Sequence, residues 1–264
     1  MNGYMERINE IELPSFGSTT DYGLENPVVI AWTDFFLKIT DEKKIFSEIV
    51  SLKKPTKSYA TAVGCYWTEF SRYVPGFLIK SASMLSDNAK RVHFVRIAYE
   101  ELGEGKPNEI HCDLFEKTMA SVGISNFARK QFIHEKFEMR SIEFLDAALS
   151  QAQSDSEIIG LGLGLEAPAF ENIETIYRAL RWSKQHEVSV DESLFFKIHR
   201  VVEVEHIRLN VENFLKFCKS DQDKQDFLKG FLTTLEFWSM FWTDASRSIV
   251  ESYQEQKSEE TVCG

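Results

Sequence analysis

The chain of 264 residues is 43% hydrophobic and 27% charged, with only 13 Gly and 6 Pro and a formal net charge of −11. That balance excludes a collagen-like chain, a disulfide-built miniprotein and a wholly disordered one. The acidic excess argues against a general nucleic-acid binder, which needs clustered Lys and Arg for phosphates.

Residues 1–24 read as an irregular lead-in that ends near the turn-prone Asp21-Tyr22-Gly23. Its first residues lack a basic stretch followed by an apolar core, so no secretory signal is expected. Asn26-Pro27 is a cap followed by proline at a first helical position, and VVIAWTDFFLKI supplies an apolar stripe. A second helix is expected from about Thr56, interrupted at Pro75 and resumed in FLIKSASML. Ser86-Asp87 can cap a helix from Asn88 to about Leu102, and GEGKP at 103–107 breaks the pattern.

Further helices are expected over 108–122, from Ser125, and from Met139 to Gln153. Asp155 to about His186 reads as one long helix kinked at Pro168. Asp191 caps the next, which reaches about Cys218, and a last helix runs from about Gln222 to Glu251. The polar residues 252–264 read as a mobile tail. Nothing resembling a linker divides residues 25–251, so a single helical domain is expected there, with a bundle-like core. No apolar run approaches the ~20 residues that span a bilayer. Cys65, Cys112, Cys218 and Cys263 form no CxxC pair. They read as reduced thiols in a cytoplasmic protein, with Cys112 beside His111 as a candidate reactive thiol.

The strongest chemical signal is HRVVEVEH at 199–206. At about 100° per residue, Glu203 lies about 40° from His199 and His206 about 20° on the other side. Two imidazoles and a carboxylate on one narrow face suit a transition metal. Taken alone, the triplet also fits an ordinary polar face. Glu205 points away from it. Glu101 and His111 flank GEGKP, and a turn there can bring them together, although each alone fits a solvated or hydrogen-bonded role. Glu166 is the single acid in IIGLGLGLEAPAF. A carboxylate in so apolar a helix must be protonated, paired or metal-bound. Three Glu and three His from four helical segments are the inventory from which helix bundles build di-iron carboxylate sites. Two ferrous ions bring +4 against −3. Glu69 in YWTEF is a candidate seventh ligand or a plain polar neighbour of aromatics. Tyr66, Trp67, Phe70 and Tyr177 are candidates to line an apolar tunnel. Lys80, Arg178 and Arg181 are candidates to grip a substrate carboxylate. The glycines of GLGLGL lack the GxGxxG context of a dinucleotide site and fit close helix contact.

On YEELGEGKPNEIHCDLF at 99–115, Glu166 after GLGLGL, and HRVVEVEH, the sequence resembles the heme-oxygenase-like di-iron oxidases and oxygenases, related in fold to the TenA/PqqC proteins. The resemblance covers roughly residues 57–250. It implies an all-α, heme-oxygenase-like helical bundle of about seven core helices. It implies that Glu101, His111, Glu166, His199, Glu203 and His206 are the metal-binding and catalytic residues. Two Fe ions per chain, cycling between Fe(II) and Fe(III), are the implied cofactor, with Mn or a mixed Mn/Fe pair as alternatives. O₂ and a small organic substrate carrying an amine or carboxylate are the implied partners, with an external reductant and a homodimer compatible with it. Three other readings stay open: a cofactor-free enzyme like PqqC, a cysteine-dependent one like TenA, and a helical partner-binding protein stabilised by metal. A ferritin-like site fits less well, because Glu203/His206 supplies only one E-x-x-H motif.

Overall fold

A computed structural model describes residues 23–43, 55–137 and 140–262. Residues 1–22 of the expected lead-in at 1–24, and Cys263, lie outside them. The described residues form ten α-helices of eleven residues or more and one of five, more segments than the seven core helices expected. They are α1 (Pro27–Lys43), α2 (Lys57–Met84), α3 (Asn88–Glu101), α4 (His111–Ser121), α5 (Asn126–Lys136), α6 (Arg140–Gln151), α7 (Asp155–Glu166), α8 (Ala169–Leu180), α9 (Glu187–Asp191), α10 (Leu194–Phe217) and α11 (Asp221–Val262). None of the helices searched is long and apolar enough to cross a membrane.

Short polar side chains start these helices by accepting an otherwise unpaired backbone N–H. Asn26 accepts from Val28, Thr56 from Tyr59, Asp87 from Ala89, Ser125 from Ala128 and Ser154 from Glu157. Four boundaries differ from expectation. Helix α2 runs unbroken through Pro75. Proline lacks an N–H, so the Ser71 carbonyl four residues earlier loses its helical donor there. The proposed helix from Asp155 to His186 is two helices, parted at Ala167-Pro168. Helix α10 begins after Ser193 rather than at an Asp191 cap. Helix α11 continues to Val262, past the expected end near Glu251 and through most of the expected tail.

The core is built around α7, which packs between α10 and α11. Its glycines make the α11 contact possible. A Cβ on Gly160 would lie 2.0 Å from the Phe227 carbonyl oxygen, and one on Gly230 would lie 2.0 Å from that of Glu157. At such approach only hydrogen fits. Aromatic clusters flank this contact. Trp32, Phe36, Phe214 and Phe227 join α1, α10 and α11. Trp67, Phe70, Phe237 and Trp238 join α2 and α11. These clusters leave α3, α4, α7 and α10 to bring polar side chains together between them.

Candidate metal centre

Helix α3 ends at Glu101, and a tight turn reverses the chain into α4, whose first residue is His111. Gly103 makes this possible with φ of +75°, and a Cβ there would lie 2.7 Å from the Glu109 carbonyl carbon. Glu104 also has a left-handed φ of 52°, held by a 2.7 Å hydrogen bond from the Tyr99 hydroxyl to its carbonyl. The turn sets Glu101 Oε2 3.2 Å from His111 Nδ1. From α10, His199 Nε2 lies 4.0 Å from Glu101 Oε1, and its ring meets that of His111 edge to face at 4.6 Å. Glu101, His111 and His199 thus form one group able to hold a metal ion.

Glu203 and His206, one and two turns further along α10, meet Glu166 at the end of α7 in a second such group. His206 Nδ1 lies 3.4 Å from Glu166 Oε2. Glu166, Glu203 and both α10 histidines are buried, and Glu166 is only 7% exposed. The three α10 residues share one face, and the turn after α3 and the end of α7 bring the other three residues to it.

The imidazoles are oriented from outside. His199 Nδ1 donates to the Phe195 carbonyl at 2.8 Å, which leaves Nε2 for Glu101. His206 Nε2 donates to Glu100 Oε2 at 2.7 Å, which leaves Nδ1 for Glu166. Outer hydrogen bonds of this kind fix the tautomer of a metal-binding histidine and raise its basicity. Glu100 was not singled out from the sequence. Its signal was its place beside Glu101 at the helix end, which put it one neighbour away from the chosen residue. Counting it, four carboxylates lie in or against the two groups. His111 Nδ1 is buried without a hydrogen-bond partner although Glu101 is near. A metal ion would satisfy that atom and the facing carboxylate together, so the donor set fits a hard or borderline cation.

The electrostatics of the groups without metal are strained in opposite directions. Burial disfavours the Glu101 carboxylate, but His111 beside it, with His199 and His206, outweighs burial and holds it down to about 2. Burial pushes the His199 imidazole down to about 4. Burial also acts against charge on His206, but Glu100 and Glu166 overcome it and hold its pKa up to about 11. Burial and the neighbouring Glu166 charge raise the Glu203 carboxyl well above its ordinary value.

A small pocket adjoins Glu101, Glu166, His199 and Glu203. Trp67, Phe70, Val74, Leu165 and Trp238 form its apolar wall, and Ser71 and Asn172 add polar atoms. Of the aromatic candidates, Trp67 and Phe70 line it. Tyr66 is fully buried elsewhere, with its hydroxyl 3.2 Å from that of Ser248. Tyr177 turns to Asp191 and lies under the Arg200 guanidinium at 4.1 Å. The candidate carboxylate grips are also placed elsewhere. Lys80 pairs with Asp146 at 2.8 Å, Arg181 with Glu187 at 3.3 Å, and Arg178 is exposed. Glu69 pairs with Arg72 and joins neither metal group. Glu205 pairs with Arg96 at 2.5 Å on the outer surface. Cys65, Cys112 and Cys218 are free and buried, none lines the cavity, and burial pushes each thiol up to about 12. A thiol so placed is a poor nucleophile.

Solved structures share the architecture. A CADD-like protein of unknown function from Nostoc punctiforme superposes with a TM-score of 0.67 at 12% identity, over 83% of this chain and 98% of its own. A second structure of that protein gives 0.62 at 12% identity, over 84% and 97%. A domain of unknown function with a heme oxygenase-like fold, from Shewanella denitrificans, gives 0.61 at 17% identity, over 87% and 92%. The fold is therefore an all-α, heme-oxygenase-like bundle. None of the curated proteins matches the chain. The model of one family, described as iron-containing redox enzymes, matches residues 58–239 and so takes in α2 to α10 and both metal groups. The chain belongs to this family of iron-containing redox enzymes.

Proposed function

We propose that the protein is a non-heme di-iron oxidase or oxygenase that uses O₂ to oxidise a small organic metabolite. The observation that carries this reading is the pair of largely buried three-residue groups, Glu101/His111/His199 and Glu166/Glu203/His206, beside one largely apolar cavity. In this reading each group holds one iron, and the bound pair supplies the electrons for dioxygen chemistry. Manganese, or one ion of each metal, satisfies the same nitrogen and oxygen ligands.

The protein's own residues supply placement. Phe195 and Glu100 hold the outer nitrogens of His199 and His206, so each ring presents a fixed face. Trp67, Phe70 and Trp238 exclude water from the side on which the substrate sits. The buried cysteines fit a reducing, cytoplasmic setting.

Anaerobic titration with Fe(II), followed by metal analysis and exposure to O₂, tests the reading. Two ions per chain and a transient visible absorption on mixing with O₂ are expected. An H199A/H206A variant that folds should bind no iron and show no such transient. A wild-type protein that binds no metal, or binds it without consuming O₂ in the presence of a reductant, would overturn the proposal in favour of a metal-stabilised or metal-free binding role.

A further inference from the structure

A second cavity, of about 330 Å³, opens where α3 turns into α4. Arg96, Glu100, Glu104, Glu109, His111 and Glu205 supply its charged and polar wall. It shares no lining residue with the apolar pocket beside the metal groups. Its residues still reach both groups. His111 belongs to the first, and its Nδ1 lies 3.2 Å from Glu101. That residue is 4% exposed, and Nδ1 has no hydrogen-bond partner. Glu100 Oε2 accepts from His206 of the second group at 2.7 Å.

From Glu100 the carboxylates continue outward. Arg96 donates to Glu100 at 2.9 Å and to Glu205 at 2.5 Å, and so joins the two. The Glu100 side chain is 18% exposed, and those of Glu109 and Glu205 are each 43% exposed. Glu109 pairs with Lys106 at 3.0 Å. Four carboxylates against Arg96 and Lys106 leave an excess of two negative charges. A cleft lined by one sign of charge focuses the field and speeds the arrival of the opposite ion. Carboxylate oxygens can replace the waters that a hard or borderline cation sheds on the way in. The apolar pocket is the poorer route, because Trp67, Phe70, Val74 and Trp238 give a desolvated ion nothing to coordinate.

We infer that this acidic cavity is the entry port for the divalent metal. Glu104, Glu109 and Glu205 draw the hydrated ion from solvent. Glu100 and the unpaired Nδ1 of His111 take it over at the centre. Arg96 opposes entry, since its charge repels the ion and occupies Glu100 and Glu205. The inference rests on reading the two three-residue groups as a metal centre. It gives metal and substrate separate approaches.

Stopped-flow mixing of the metal-free full chain with Co(II), followed by visible absorption, measures the loading rate at low and high salt. E104Q/E109Q/E205Q removes three port charges and keeps the side-chain shapes. R96Q removes the opposing charge. D41N/E42Q/D221N is the control: it removes three exposed charges from α1 and the start of α11, outside the cavity. Denaturant melts check folding, and bound Co(II) is counted at the end point. At low salt the port variant is expected to load about tenfold more slowly than wild type, and high salt should shrink the difference. R96Q should load faster, and the control within about twofold of wild type. All should end with two Co(II) per chain and the same spectrum. A port variant no slower than the control, R96Q slowed like the port variant, or a lost Co(II) in the folded port variant would overturn the inference. Two ions in wild type alongside such a failure would leave the metal centre standing. A wild type that binds no Co(II) would remove the centre and the port together.

Discussion

Glu100 shows how a single residue decides the state of the second metal group. It accepts from His206 at 2.7 Å and from Arg96 at 2.9 Å, and so fixes the His206 ring from outside. Glu100→Ala is expected to weaken metal binding about 10–100-fold, the usual cost of losing such a partner. Glu100→Gln keeps an acceptor for the ring and should recover part of that loss, as equilibrium titration with Co(II) would show. The same neighbourhood makes metal uptake a proton-releasing step. At neutral pH His206, with its pKa held up to about 11, carries a proton, and burial with the neighbouring Glu166 charge raises the Glu203 carboxyl above its ordinary value. A metal needs His206 deprotonated, so loading at pH 7 should release a proton, and affinity should rise with pH. An indicator dye in weak buffer reads this directly, and no release would contradict the assigned protonation. Four of the six ligand candidates stood out by in-phase spacing or an apolar setting, and Glu101 and His111 by flanking GEGKP. Glu100 did not, because a glutamate at a helix end is ordinary in sequence and only the fold shows what it touches.

Several helix starts followed a local cap, although Asp191 did not start α10. Thr56, Asp87 and Ser125 each start the helix they were expected to start. The misjudged boundaries depend on tertiary packing. Pro75 does not end α2, because α3, α8 and α11 pack along it and offset one lost backbone bond. The GLGLGL run of α7 was legible as a place of close approach but not as to its partner, which is α11. That contact gives a sharp expectation. Gly160→Ala would put a methyl carbon 2.0 Å from a backbone oxygen, which cannot rotate away. The helices must part, at a cost of about 1–3 kcal/mol typical of overpacking. Chemical denaturation should show this as a lower midpoint with an unchanged slope. Because Glu166 closes the same helix, the variant should also bind metal more weakly. Unchanged stability would mean that α7 and α11 are further apart than the structure places them.

For the molecule as a whole, the metal groups join helices that the aromatic clusters do not. His206 on α10 touches Glu100 on α3 and Glu166 on α7, and so clasps three helices when it is charged. His199 makes a local hydrogen bond within α10 and sits near Glu101. The two histidines should therefore be alike for metal but unlike for stability. His206→Ala removes the partner of the buried Glu166 and one of the two partners of Glu100, and breaking a buried pair costs about 3–5 kcal/mol. His199→Ala leaves one carbonyl to find another donor, about 1 kcal/mol. The pH dependence separates these causes in the metal-free protein. The folded pKa of His206 is raised, so its contribution is complete below its unfolded value, about 6.5. That contribution is lost as pH rises towards its folded value of about 11. His199 has the opposite sign. Its folded pKa is lowered to about 4, so it weakens the fold as pH falls from about 6.5 to 4. Denaturant melts of metal-free wild type and both variants should show His206→Ala to be the more damaging near pH 6.5, with its deficit shrinking at higher pH. His199→Ala should gain on wild type as pH falls towards 4. Equal destabilisation at every pH would mean that the clasp is not held by charge.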